Sequence, residues 1–493
     1  MNTLPHELLV DVLKHVDTEE IALLTKTLFI ASQFIVRQRF ICNYLNTDVP
    51  KNTIAMTKHK YDDEDLPDKL MYLNICNFLE YDDDKFYSYL PRNLKYLSGR
   101  IGFIIGPEPT KLTDLEMKHD IWNYANVEIP QTVTRLRFSY DLYNIPKIPS
   151  SVKYLKIGNI NDDPFVGFPI SLTHLVLRED FNANINVWPN LLYYLKIKGR
   201  YFKKISQWPY FLTYLEVCHH ESIHDIKCWP IHLTHLSISI ENDSCDKCGH
   251  KNLPTTLTNL IAYRAQSIKM EKLPHLNELS LRYLCNLAHN WKLPTSIKKL
   301  SLRSAYVHDG IDTKILDQIL DLRLTHLCLP ETSHPGTTAI IKKWVNKFDQ
   351  NTLLTLTHLS ITDENDYNLK FLPLNITHLI WWNYYQSEQN SNMHDLKLVW
   401  LEIGGLDEND VLPKTLIYLI ILNCNVLPIF PKSLKCLDLR HYIGDVLSLP
   451  KLTHLKLDKT VNEVVFPSSL VYLRIQQKMK NTVPKHIKLV VLF

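Results

Sequence analysis

The chain has 493 residues, with 55 Lys and Arg against 52 Asp and Glu and a formal charge of +3. That balance is spread along the chain, which argues against the concentrated basic face of a nucleic-acid binder. Its 12 glycines are too few for Gly-rich phosphate loops or dinucleotide-binding turns, and 45% hydrophobic with 22% charged residues marks a folded chain, not a disordered one.

The first predicted element is helical. Leu8, Leu9, Val12, Leu13 and Val16 recur at helical spacing, followed by Ile21, Leu24 and Leu28, then Phe34, Ile35 and Phe40. Pro5 suits a helix start, and Asp17-Thr18 offers an N-cap. The spacing predicts about three helices over residues 1–45, too few for a large core of their own. They must pack on the rest of the chain or on a partner. Residues 46–65 read as a linker.

Leu4 to Leu24, LPHELLVDVLKHVDTEEIALL, resembles the first half of an F-box. Leu4, Pro5 and Glu7 match its opening, Leu8, Leu9, Val12, Leu13 and Val16 its apolar helix positions, and Asp17 its acidic break. The second half departs from the pattern. Where F-boxes carry a Val-Cys-Lys-x-Trp-like stretch, Ile30 to Phe34 stands after a short insertion, with Gln33 in place of the Lys. The resemblance implies docking of a Skp-type adaptor of a cullin–RING ubiquitin ligase through Leu4, Pro5, Leu8, Leu9, Val12, Leu13 and Val16. The alternative is a helical cap that seals the first repeat of the array that follows.

From residue 66 to 493 one pattern recurs: an apolar residue, Pro, then Leu three, six and eight residues later. Clear copies are PISLTHLVL from Pro169, WPNLLYYLKI from Trp188, WPYFLTYLEV from Trp208 and WPIHLTHLSI from Trp229. About 21 units follow this plan, some one residue short and three without the Pro. Residues two apart on a strand share a face, so Leu175 and Leu177 point inward while His174 and Val176 point out. One short strand per ~20 residues cannot bury its apolar side alone; stacking neighbours does that and gives a parallel solenoid. The Leu-x-x-Leu-x-Leu core resembles leucine-rich repeats. The Pro-x-Ser-Leu-Thr-His-Leu-x-Leu wording, with Phe181-Asn182-Ala183-Asn184-Ile185, resembles the FNIP repeat found in amoebae and their giant viruses. The expected fold class is therefore an α/β repeat, a small helical module followed by a leucine-rich-repeat-like solenoid. Two stretches break the array with helical spacing, near 311–320 (IDTKILDQIL) and 337–348 (TTAIIKKWVNKF).

The position five after the Pro is Tyr or His in thirteen units, among them Tyr154, His174, Tyr194, Tyr214 and His235, and predicts an aromatic ladder on the concave face. Such side chains suit protein recognition; stacking on their neighbours would instead make them architecture. The position seven after the Pro varies from unit to unit (Lys156, Lys196, Glu216) and is the better candidate for target specificity. Cys245 and Cys248 form the single C-x-x-C, half of a zinc site with no fixed second half; a solvated loop is the default, and no cofactor is expected. No Ser nucleophile elbow, His-Glu-x-x-His or phosphate loop is present.

No apolar run reaches the ~20 residues of a membrane span, the N-terminus lacks the layout of a signal peptide, and ten mostly unpaired Cys fit a reducing compartment. The sequence thus leads to a non-catalytic intracellular protein, cytoplasmic (in the host cell, if viral), with no membrane or nucleic-acid partner. Its expected role is substrate recognition for a cullin–RING ligase, with an unknown protein target on the solenoid. The other reading is a plain repeat scaffold whose N-terminal helices are a cap.

Overall fold

A computed structural model describes residues 41–44, 55–58, 70–75, 91–99, 111–118, 128–139, 146–158, 167–179, 181, 185–199, 205, 207–218, 228–238, 253–264, 268–283, 291–302, 313–329, 343–345, 353–361, 372–382, 390–406, 408, 410–423, 426–442, 446–457, 463–475, 483–484 and 486–491. The proposed adaptor contacts Leu4 to Val16, and Cys245 and Cys248, lie outside these residues. The chain divides into two compact units, Met1–Pro189 and Asn190–Phe493.

The first unit holds β1 (Ile41–Tyr44), β2 (Ala55–Lys58), β3 (Tyr72–Ile75), β4 (Tyr96–Gly99), β5 (Asp114–Met117), β6 (Arg135–Phe138), β7 (Tyr154–Ile157) and β8 (His174–Leu177). Each pairs in parallel with the next. The ladder therefore starts before residue 66, with one strand at the end of the stretch read as helical and another inside the stretch read as a linker. ICNY and AMTK carry neither the Pro nor the spaced leucines, so the repeat wording does not reveal them.

The second unit holds β9 (Tyr194–Ile197), β10 (Tyr214–Val217), β11 (His235–Ile238), β12 (Asn259–Arg264), β13 (Glu278–Tyr283), β14 (Lys299–Leu302), α1 (Thr313–Leu320), β15 (His326–Cys328), β16 (His358–Ile361), β17 (His378–Trp381), β18 (Trp400–Ile403), β19 (Tyr418–Ile421), β20 (Cys436–Leu439), β21 (Val446–Ser448), β22 (His454–Leu457), β23 (Glu463–Val465), β24 (Tyr472–Ile475) and β25 (Lys488–Val491). All but β21 and β23 form one parallel ladder in chain order. β21 and β23 pair with each other in the return segments. Each unit is thus a leucine-rich-repeat-like solenoid, one short strand per repeat.

Every letter of the repeat has a physical task. The Pro opens a tight turn: its carbonyl accepts the N–H three residues on, as in Leu172 to Pro169 at 3.1 Å and Leu416 to Pro413 at 3.1 Å. Pro suits this place because its fixed φ limits the turn and the ladder never needs the N–H it lacks. The leucines three, six and eight after it fill the interior; Leu172, Leu175 and Leu177 are fully buried, and so are Leu212 and Leu215. The Ser or Thr two after the Pro reaches back one repeat and donates to the carbonyl of the leucine-type residue there. Ser151 does so to Val133 at 2.7 Å, Ser296 to Leu276 at 2.7 Å, Thr415 to Leu398 at 2.7 Å and Ser433 to Leu416 at 2.6 Å. These hydroxyls staple adjacent turns outside the strands, where the backbone ladder has not yet begun. Ser433→Ala should cost about 0.5–1.5 kcal/mol, the net value of one such bond, read as a lower urea midpoint.

α1 shows how the longer repeats stay packed. Leu316 and Ile319, three apart, bury one face. On the same element, Gln318 accepts the Leu293 N–H at 2.9 Å through Oε1 and donates to the Trp291 carbonyl at 3.3 Å through Nε2. The helix thereby completes backbone hydrogen bonding in the segment that leads into β14. Residues 343–345 are also helical, with Trp344 and Val345 buried.

Candidate recognition surface

The strands leave one sheet face opposite the leucines, and two columns of side chains line it. The first column is the opening residue of each strand. In the first unit its members from β3 onward are, in order, Tyr72, Tyr96, Asp114, Arg135, Tyr154 and His174. Tyr72 and Tyr96 lie 6.3 Å apart between ring centroids, and Tyr154 and His174 6.1 Å. Where the aromatics stop, opposite charges take over: Arg135 pairs with Asp114 at 3.0 Å and sets its guanidinium 4.7 Å from the Tyr154 ring centroid.

In the second unit Tyr194 stacks on Tyr214 at 4.4 Å, and Tyr214 on His235 at 5.9 Å. Asn259 then donates to Glu278 at 2.6 Å, and Lys299 forms an ion pair with Glu278. A run of rings follows: His326 on His358 at 3.9 Å, His358 on His378 at 4.1 Å, and His378 on Trp400 at 6.3 Å. Further along, His454 meets Tyr472 at 5.6 Å. In-register parallel strands about 4.8 Å apart leave flat side chains little choice but to stack.

The Thr before each His explains the Thr-His wording. Thr173, Thr234, Thr325, Thr357, Thr377 and Thr453 each place Oγ1 2.8–3.0 Å from Nδ1 of the following His. The backbone carbonyl near each hydroxyl already accepts two N–H groups, as Lys153 does from Thr173 and His174. Each hydroxyl also lies 3.0–3.3 Å from that carbonyl, to which it can donate, so it stands between the carbonyl and the ring. Burial pushes His174 and His358 down to about 4, with Arg135 adding to the effect at His174 and His378, His326 and Lys299 adding at His358. Burial likewise lifts Tyr214 to about 12, reinforced by Glu216.

The second column is the third strand residue, and it is less available than its variability implies. Arg137, Lys196, Glu402 and Asp438 are only 7%, 6%, 3% and 8% exposed. Their charges answer one another along the ladder: Arg137 with Glu116 at 3.6 Å, Lys196 with Glu216 at 3.3 Å, and Lys456 with Asp438 at 2.9 Å. Glu402 accepts the Trp382 indole N–H at 3.0 Å. Glu116 gathers most, accepting hydroxyls from Tyr96 at 2.9 Å, Ser98 at 3.0 Å and Ser139 at 3.1 Å.

Of the candidates named from sequence, Tyr154, His174 and Lys156 fall in the first unit and Tyr194, Tyr214, His235, Lys196 and Glu216 in the second. Lys196 and Glu216 neutralise each other, which leaves the rims of Tyr194, Tyr214 and His235 as the reachable chemistry there. Sequence reasoning missed a further apolar set in the second unit, on the turns before the strands. Leu191, Tyr210, Phe211 and Ile231 are exposed, with Tyr210 edge-on to Phe211 at 5.0 Å and to His232 at 4.9 Å. Its signal was present: large apolar residues one or two places after Pro189, Pro209 and Pro230, where a turn is ordinarily polar.

Among the described residues no group of three His, Cys, Asp or Glu is arranged to hold a metal ion, and no helix is long and apolar enough to cross a membrane. No protein-family model matches the chain, and no curated protein matches it. Solved structures similar to it include leucine-rich-repeat proteins. CroV588, a circular LRR protein, is 23% identical over 89% of this chain and 68% of its own, with a TM-score of 0.39. YopM from Yersinia enterocolitica WA-314 is 16% identical over 85% of this chain and 91% of its own, at 0.30. TLR13, in its complex with ssRNA13, is 16% identical over 85% of this chain and 68% of its own, at 0.42.

Proposed function

We propose that the chain is a non-catalytic recognition subunit, with solenoid faces that hold a protein target and an N-terminal F-box-like module that docks a Skp-type adaptor of a cullin–RING ubiquitin ligase. The carrying observation is the pairing of two features in one chain. Leu4, Pro5, Leu8, Leu9, Val12, Leu13 and Val16 follow the F-box pattern, and the repeats after them present ring edges and exposed apolar turn residues over many rungs. Rings with a polar rim give contact area at modest entropic cost. Tethering a target beside the ligase raises its effective concentration there without any chemistry by this chain. Resemblance to the FNIP repeat supports an amoebal or giant-virus setting. The second reading, a repeat scaffold whose N-terminal helices seal the array, is favoured by the departure at Ile30 to Phe34.

Co-expression of the full chain with a Skp-type adaptor, followed by pull-down, separates the two. The adaptor should be captured by the native chain and lost with Leu8→Asp, which puts a charge in the proposed contact. A native chain that is folded, as judged by circular dichroism, and captures no adaptor would leave only the scaffold reading.

A further inference from the structure

The run of rings at the start of β15, β16 and β17 differs from the rest of the column. Elsewhere a His at this position meets a Tyr ring, as His174, His235 and His454 do, and the remaining members include tyrosines and opposite charges. Here three imidazoles sit face to face, His326 on His358 at 3.9 Å and His358 on His378 at 4.1 Å, with interplanar angles of 12° at both contacts. Each also has a Thr Oγ1 2.8–2.9 Å from its Nδ1. On the strands packed around the run, the groups facing it are Lys299 on β14, Glu278 on β13, Cys328 on β15 and Glu402 on β18. Glu278 already pairs with Lys299 and Asn259, and Glu402 with Trp382 and Arg440. Among the described residues, the central ring therefore has cationic or ionisable neighbours on both sides and no carboxylate of its own.

We propose that the His326–His358–His378 run is an acid-sensitive opening point of the second unit, closed while the rings are neutral and forced apart when they take up protons. Protonation puts like charges about 4 Å apart. Burial, His378, His326 and Lys299 all push His358 down, to about 4, and His326 is also lowered. A ring whose folded value lies below its unfolded one contributes stability that is complete above the unfolded value, near 6.5, and is lost as pH falls towards the folded value. The window is thus between about 6.5 and 4. The consequence is a solenoid whose middle rungs loosen in a mildly acidic environment while its tyrosine rungs do not, a means of releasing a bound partner there.

The test is hydrogen exchange on the full chain at pH 7.5 and pH 5, corrected for intrinsic exchange. Wild type is compared with His326→Tyr/His358→Tyr/His378→Tyr. Tyr is the natural control, since Tyr194 and Tyr214 already stack in this position at 4.4 Å. In wild type the amides of β15 to β17 should lose roughly tenfold of their protection at the lower pH, those of β9 and β10 much less. The triple variant should lose little in either place. An equal loss in a folded triple variant would overturn the proposal. Should that variant not fold, His358→Tyr alone serves, and must at least halve the pH response on a logarithmic scale.

Discussion

Replacing Leu215 by Ala should destabilise the second unit by about 2–5 kcal/mol, the range for removing a fully buried leucine without collapse of the space. Leu215 is fully buried and stands in register between Leu195 and Leu236. The leucine column is continuous, so the lost methyl groups leave a void between two neighbours that the backbone ladder holds at fixed spacing. In a repeat array contacts are mostly with adjacent repeats, and the loss should be local. Amides of β9 to β11 should exchange faster, while those of β22 and β24 change little. Leu191→Ala is the matched control: Leu191 is 52% exposed, and its loss should stay within about 0.5 kcal/mol. Urea unfolding with exchange mapping reads both effects.

Glu116→Ala should cost about 3–5 kcal/mol, the penalty for stranding a buried partner charge. Glu116 is the acceptor for three hydroxyls, from Tyr96, Ser98 and Ser139, and it faces Arg137 at 3.6 Å. Arg137 is 7% exposed and Ser98 fully buried, so neither can turn to water when the carboxylate goes. Burial raises the Glu116 carboxyl, but Tyr96, Lys118, Arg137 and Ser98 together outweigh it and the net direction is down. A second change to Met at Arg137 should recover part of the loss, because an apolar pair leaves fewer unmet polar groups than a lone guanidinium. Failure of the double variant to recover anything would mean that the hydroxyl bonds, not the ion pair, carry the site.

Much of this could be read from the residues. The spacing of Leu172, Leu175 and Leu177 specifies a strand with a buried face, and Pro169 specifies where it begins. The periodic Tyr or His specifies a column, because a repeat of nearly constant length must bring equivalent residues side by side. Four features were not legible, each for a definite reason. β1 and β2 join the ladder through backbone pairing, which any extended sequence can supply, so ICNY and AMTK gave no warning. The variable third strand residue looked like target-facing diversity. Its charges are complementary between rungs, Lys196 to Glu216 and Asp438 to Lys456, and such pairing shows only once the register is known. The Ser and Thr two after the Pro look like ordinary turn residues, yet their hydroxyls reach the preceding repeat. Likewise Gln318 reads as a polar residue on a helix and serves as a backbone partner for Trp291 and Leu293.

Every column described, of rings, hydroxyl staples and alternating charges, depends on one register, in which each strand begins opposite the beginning of the next. Disulfide trapping tests it directly. Asn259 and Glu278 face each other across β12 and β13, and Ser280 stands opposite Ile261, two residues further on. Residues opposite on adjacent strands fall within the Cα separation of about 4.4–6.8 Å that a disulfide spans, and a partner two residues displaced lies at about 8 Å. Asn259→Cys/Glu278→Cys should therefore crosslink on mild oxidation, seen as a shift in non-reducing electrophoresis. Asn259→Cys/Ser280→Cys should remain reduced under the same conditions. The reverse pattern, or equal crosslinking of both, would contradict the register and with it every column that the repeats are said to build.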